Sequence, residues 1–183
     1  MTVDSQLDAR FRAAALREGI VDVRYDVVDS PVGELGIAAT DRGLCRISYD
    51  VDGLEDEVAR VFGVRVLRSP LDHVRRELDE YFEGRRRAFD LHVDLRVAPF
   101  HEDVLTALAR VPYGLTTTYG ALAREAGHPT AARAVGTVMN RNPIPIVLPC
   151  HRVIGANGAL TGYAGGLDKK RLLLQLESVG LPG

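Results

Sequence analysis

The stretch Asn142-Pro143-Ile144-Pro145-Ile146-Val147-Leu148-Pro149-Cys150-His151-Arg152-Val153 constrains this chain more than any other. Its three prolines forbid a regular helix, because each fixes φ, lacks an N–H and pushes its predecessor toward extended geometry. Between them stand Ile144, Ile146, Val147 and Leu148, too apolar for an exposed loop. The segment therefore reads as rigid, buried and non-helical, and it delivers a thiol, an imidazole and a guanidinium in succession. Buried irregular backbone must find partners for its polar groups, an arrangement met where a site has to be held. A cysteine beside cationic groups is expected to have a lowered pKa and to form a thiolate. A lone cysteine among apolar residues is also a common core residue, so the stretch alone leaves both readings open.

Composition narrows the class. With 183 residues the chain can hold one large domain or two small ones. It has no run of about eighteen apolar residues that could span a bilayer, and its charged beginning lacks the apolar region of a signal peptide. Two cysteines, Cys45 and Cys150, far apart in sequence, point to a reducing compartment such as the cytoplasm. No Cys/His cluster has metal-ligand spacing. The formal net charge of −2 hides an asymmetry: residues 1–97 carry 15 basic against 20 acidic side chains, residues 98–183 carry 8 against 5. A mildly basic second half is compatible with a polyanionic partner.

In chain order, residues 4–18 read as a surface helix ended by Gly19. Strands are expected at about 21–27, 34–40 and 44–49 from period-two alternation and the turns between them. A helix follows at 54–62, then a short strand at 64–67. Ser69-Pro70 opens a second helix, with Leu71, Val74, Leu78, Tyr81 and Phe82 on one face and Gly84 past its end. Residues 89–95 alternate as a last strand. His73 and His92 read as surface or packing residues, and Arg85-Arg86-Arg87 as a solvated turn. Residues 1–97 thus form a small α/β domain, with Val97-Ala98-Pro99 as linker to a mostly α domain over 98–183. There a helix at 100–110 precedes two short ones, from Tyr119 to about Ala126 behind Thr116-Thr117-Thr118 and from Ala131 to about Met139 behind Thr130 as cap. Gly127-His128-Pro129 between them makes a helix-turn-helix, whose second helix usually enters a DNA groove. That helix carries the small residues Ala131, Ala132, Ala134 and Gly136 with Arg133 projecting. It has almost none of the side chains that read bases in the major groove, which suits sequence-independent binding from the minor groove. Close helix packing would need the same small residues. A short strand at 152–154, a turn at Gly155-Ala156-Asn157-Gly158, a loop at Gly162-Tyr163-Ala164-Gly165-Gly166 and a helix capped by Asp168 complete the chain.

Pro149-Cys150-His151-Arg152-Val153, entered through Asn142-Pro143-Ile144-Pro145-Ile146, resembles the active-site signature of the O6-alkylguanine-DNA alkyltransferases, also called methylated-DNA–protein-cysteine methyltransferases. The resemblance is close from about Pro99 to Glu177 and loose before that. It implies a ribonuclease H-like first domain with a small mixed sheet and a winged-helix-like second one. It also implies a monomer acting without cofactor on double-stranded DNA that carries O6-alkylguanine or O4-alkylthymine. Some members hold a structural zinc in the first half; the cysteines for it are missing here.

Carried onto this chain, the resemblance makes Cys150 the nucleophile that takes the alkyl group from a flipped-out base and keeps it. His151 is the base, acting through a bridging water because neighbours in extended chain point apart. Glu177, which by position alone would be an exposed end of an apolar face, becomes the buried partner of His151. Tyr119 donates a hydrogen bond to the departing guanine, and Asn142 ties the helix to the active-site strand. Arg133 fills the gap left by the flipped base, with Thr130, Ala134, Gly136 and Tyr119 along the DNA surface. Tyr163, Pro145, Val153 and Gly165 form the substrate pocket. The product thioether is a poor leaving group, so one chain is expected to act once. Three departures stand out: Val138 where a smaller residue is usual, Asn140-Arg141 for a small pair, and His101 where glutamine is common. Related alkyltransferase-like proteins that only bind lesions lack the cysteine. A non-catalytic DNA-binding regulator would use the helix-turn-helix but leave Cys150-His151-Arg152 without purpose. A cysteine hydrolase would use Cys150, His151 and Glu177 and turn over on acyl substrates.

Overall fold

A computed structural model of the chain describes Arg10, Arg12, Ala14, Ala15 and residues 17–178. The helix expected at 4–18 lies largely outside the described residues. The first half is built on a four-stranded mixed sheet of β1 (Val23–Val28), β2 (Leu35–Thr40), β3 (Gly43–Ser48) and β4 (Val66–Arg68), in the order β3-β2-β1-β4. β1 pairs antiparallel with β2 and parallel with β4, as the intervening helix α1 (Leu54–Phe62) requires. Every residue of β2 is buried, because both faces of the sheet are covered. On one face Ala38 and Cys45 pack with Leu54 and Val58 of α1. On the other, Leu35, Ile37, Ala39, Leu44 and Ile47 join Val74, Leu78 and Tyr81 of α2 (Asp72–Phe82). A bulge in the β2–β3 pairing at Ala38/Ala39 brings Leu44 and Ile47, three apart, onto the same face.

The strand expected at 89–95 does not form. That segment meets β3 through only two ladder bonds, Leu44 N to His92 O and Asp94 N to Leu44 O, each 2.9 Å. Asp94 is then drawn inward, accepting from Thr40 Oγ1 at 2.9 Å, which ends the alternation. The Arg85–Arg87 run is partly spent on acidic neighbours, Arg86 pairing with Glu77 and Glu80 and Arg85 with Glu83.

The second half holds α3 (Pro99–Ala109), α4 (Tyr119–Glu125), α5 (Ala132–Asn140) and α6 (Leu167–Leu176). A two-stranded parallel ladder joins β5 (Thr117–Thr118) to β6 (Val153–Ile154). Thr118 caps α4 through its hydroxyl, 3.2 Å from Ala121 N. The turn into α5 is closed by His128 N to Ala123 O (2.8 Å) and Ala131 N to His128 O (2.9 Å), with Gly127 at φ 81°. Thr130 is exposed and does not cap α5; Ala131 occupies the cap position, with no side-chain bond. Asp168 likewise lies in the first turn of α6, behind Gly166 as cap. One hydrophobic cluster runs from Leu35 and Ile37 through Tyr81, Val104 and Leu108 to Val135, Ile144 and Leu173. The two halves therefore share a core, and the proline-rich segment crosses the middle of it.

Candidate active site

Two residues beyond α5, Asn142 folds the proline-rich segment around its own amide. Asn142 Nδ2 donates to Leu148 O at 2.7 Å and Ile144 N donates to Asn142 Oδ1 at 3.1 Å, both buried. Leu148 N closes the loop on Ile144 O at 2.9 Å. Within this loop Ile146 sits at φ 77°, a conformation a β-branched residue adopts only when its surroundings enforce it. Its complete burial and the Asn142 bonds on either side supply that enforcement. The first half contributes as well, since Ile47 N of β3 donates to Pro143 O at 2.9 Å.

The loop delivers Cys150-His151-Arg152 as a single turn of 3₁₀ helix rather than as extended chain, with Arg152 N donating to Pro149 O at 2.9 Å. All three side chains are buried, His151 completely. They do not cluster on the thiol. His151 Nε2 lies 2.8 Å from Glu177 Oε1, and Arg152 grips the same carboxylate with Nε on Oε2 and Nη2 on Oε1, each 2.9 Å. Glu177 also accepts from Tyr81 Oη at 2.7 Å and from Gly114 N at 3.2 Å. It is thus not the exposed end of a helix but the centre of a buried network reached from both halves. The other histidine nitrogen, Nδ1, is buried with no hydrogen-bond partner among the described residues. It is the atom of this network left free to take a proton.

Electrostatics correct the expectation of a resting thiolate. Burial pushes the Cys150 thiol up to about 11, against the opposing pull of the Asn142 amide and the Lys170 ammonium. The Arg152 guanidinium is bonded to Glu177 instead. Burial likewise lowers the His151 pKa, though Glu177 pulls the other way. Glu177 itself is held well below the usual carboxylate range by His151 and Arg152, which overcome its desolvation. The resting site is therefore a neutral thiol beside a neutral imidazole, with the only carboxylate already paired. The other cysteine, Cys45, donates to Ala38 O at 3.3 Å and is pushed by burial to about 12, which makes it an inert core residue.

Two family models match the chain: "6-O-methylguanine DNA methyltransferase, ribonuclease-like domain" over residues 23–95 and "6-O-methylguanine DNA methyltransferase, DNA binding domain" over residues 99–179. The chain is 43% identical over 155 residues to a methylated-DNA–protein-cysteine methyltransferase of Methanosarcina acetivorans, covering 84% of this chain and 97% of that one. It is 46% identical over 155 residues to the protein of that name from Mycolicibacterium paratuberculosis, covering 85% and 92%. This chain belongs to the methylated-DNA–protein-cysteine methyltransferase family. Among solved structures, Mycobacterium tuberculosis OGT in complex with DNA superposes with a TM-score of 0.74 at 40% identity, over 84% of this chain and 92% of that one.

The remaining positions that the family resemblance singles out lie on α4 and α5, in the proline-rich segment and around β6. On α5, Arg133 and Ala134 are exposed, and Gly136 faces the ring of Tyr119, about 3.8 Å from where a Cβ would stand. Tyr119, at the start of α4, donates its hydroxyl to Thr161 O at 3.2 Å. Pro145 and Val153 are buried and Tyr163 is half-buried in the loop between β6 and α6. Tyr81, Tyr49 and Lys170 were not anticipated here, and Arg152 was expected to act on the thiol rather than on Glu177. Arg152 and Tyr81 hold Glu177, Tyr49 bonds Tyr163, and Lys170 is fully buried. Lys170 Nζ donates to Val153 O at 2.6 Å and Thr161 O at 2.8 Å, and burial lowers its pKa to about 8. A signal for Lys170 existed: with Leu173, Leu174 and Glu177 it falls on one i, i+3, i+4, i+7 stripe, which places two charges on the buried face of α6.

Proposed function

We propose that this protein repairs alkylated DNA by moving the alkyl group of O6-alkylguanine, and of O4-alkylthymine, onto its own Cys150, once per chain. The observation that carries the reading is that His151, directly following Cys150, pairs with the buried Glu177 and keeps its Nδ1 unpartnered among the described residues. In the transfer the sulfur forms a bond to the alkyl carbon as the carbon–O6 bond breaks. The thiol proton goes to His151 Nδ1 through a bridging water, and Glu177 stabilises the imidazolium. Tyr119 turns its hydroxyl from Thr161 O to the departing base and supplies the hydrogen bond that the base needs. A thioether offers no leaving group, so the protein is consumed.

We assign residues 1–97 and 98–183 to two domains that share a core, the second containing a helix-turn-helix of α4 and α5 on a winged-helix-like frame. α5 lies against the minor groove through Ala134 and Gly136, with Thr130 at its start, and Arg133 takes the place of the flipped base. Tyr163, Pro145, Val153 and Gly165 line the alkyl pocket. The protein works as a monomer in the cytoplasm, without metal or cofactor. The test is intact-mass measurement after excess duplex carrying O6-methylguanine. One added methyl, absent in Cys150→Ala, is expected; repair beyond one lesion per chain overturns the reading.

A further inference from the structure

The loop carrying Tyr163 is fastened to the first half of the chain through Tyr49, immediately after β3. The two phenol oxygens are 2.7 Å apart, although the residues are 114 positions apart in sequence. Their rings meet edge to face at 5.9 Å between centroids, an arrangement favoured by the ring quadrupoles. Two residues further along the loop, the Tyr49 ring fills the space beside Gly165 so fully that a Cβ there would come within 2.7 Å of it. Lys169 completes the attachment: its ammonium lies 5.5 Å from the Tyr49 ring centre and donates to Val32 O at 2.7 Å. A cavity of about 320 Å³ opens at the same junction, bordered by Tyr49, Asn142, Pro145 and Gly165. The loop therefore has no slack in either direction. Moving away from Tyr49 breaks the hydroxyl pair, and moving toward it drives Gly165 into the ring.

We propose that Tyr49 is a positioning residue for alkyl-group size: by pinning Tyr163 and Gly165 it fixes the alkyl pocket at a width that takes a methyl group readily and a bulky group slowly. The inference rests on the reading of Cys150 as alkyl acceptor, and it gives the first half of the chain a part in substrate choice. Burial raises the pKa of both phenols, so the pair stays protonated, and both rings pack against the core cluster that contains Cys150.

The experiment compares rates of transfer to Cys150 from a duplex carrying O6-methylguanine and from free O6-benzylguanine, read by intact mass. Tyr49→Phe keeps the ring against Gly165 and deletes the hydroxyl pair. The benzyl-to-methyl rate ratio should rise by about five-fold, the equivalent of one buried hydrogen bond. Gly165→Ala should slow both substrates, and Tyr49→Ala added to it should restore the rates by removing the ring that the new methyl strikes. Val58→Ala, in the cluster on the far face of the sheet, loosens the first half without touching the loop and should leave the ratio unchanged. An unchanged ratio in Tyr49→Phe, an equal shift in Val58→Ala, or no recovery in the double variant overturns the proposal. Failure of the unaltered protein to gain a methyl from DNA would instead overturn the function on which it rests.

Discussion

Replacing Glu177 by glutamine is the most searching perturbation of this fold, because it changes one atom and one charge at a fully enclosed position. The carboxylate accepts five hydrogen bonds, from Tyr81, His151, Gly114 and twice from Arg152. A glutamine offers one oxygen and turns an NH₂ toward donors, leaving the buried Arg152 guanidinium without its counter-charge. Breaking a buried ion pair from one side costs about 3–5 kcal/mol. For a chain of this size each kcal/mol moves the midpoint by about 2–4 °C, so Tm should fall by about 6–20 °C. The pH dependence must change too. The folded pKa of Glu177 lies below its ordinary value, so its contribution is present above about pH 4.3 and is lost as pH falls from there toward the folded pKa. Glu177→Gln lacks that contribution at every pH, and its Tm should decline less steeply on acidification. Alkyl transfer should slow by about 10²-fold, the lower range for a general base deprived of its orienting partner. Calorimetric melts between pH 3 and 7, with transfer rates at neutral pH, check all three. A midpoint within about 2 °C of the unaltered protein, with the same acid slope, would refute the network argument.

Three further outcomes are expected. Asn142→Ala removes the two bonds that hold the proline loop and Ile146 in place; a loss of about 2–3 kcal/mol, seen as a Tm lower by about 4–12 °C, should accompany slower transfer, and an unchanged midpoint would mean the loop holds itself. Arg133→Ala should slow transfer from duplex by about ten-fold more than transfer from free O6-benzylguanine, since flipping a base costs a few kcal/mol and only the duplex needs it; equal losses would refute the assignment. In Cys45→Ser, iodoacetamide labelling of Cys150 should accelerate with pH toward a midpoint near 11, because the thiol is the form stabilised by burial; a midpoint below 8 would show a resting thiolate.

The elements legible in the sequence were those whose signal is local. The helix expected at about 54–62 forms over Leu54–Phe62, where a charged, strongly two-faced segment follows a glycine, and β1 to β3 follow from alternation between clear turns. The strand expected at 89–95 shows where alternation misleads: the side-chain period was present, but only two ladder bonds formed around Val93. At the site, Cys150, His151 and Asn142 were legible because they share one twelve-residue stretch. Tyr81 and Tyr49 were not, since each joins the site from a different element 96 or 114 residues from its partner. The lowered thiol pKa failed for a related reason. Adjacency of Cys150, His151 and Arg152 in sequence suggested that their charges act on one another. The 3₁₀ turn instead sends His151 and Arg152 to a carboxylate 26 and 25 residues further on.

That redirection has a chemical consequence. A thiolate held permanently beside Arg152 would react with any small electrophile that reached it, and each such event would be irreversible. Here the guanidinium is committed to Glu177, the imidazole is kept neutral by burial, and the thiol stays protonated at neutral pH. On the function proposed, the nucleophile is generated only when a substrate in the pocket makes proton loss to His151 worthwhile, through the bond that breaks to the departing base. For a residue that can be used once, a site assembled but uncharged protects the thiol until the lesion arrives, and the Glu177 network supplies the cation's stabilisation at the moment of transfer rather than before it.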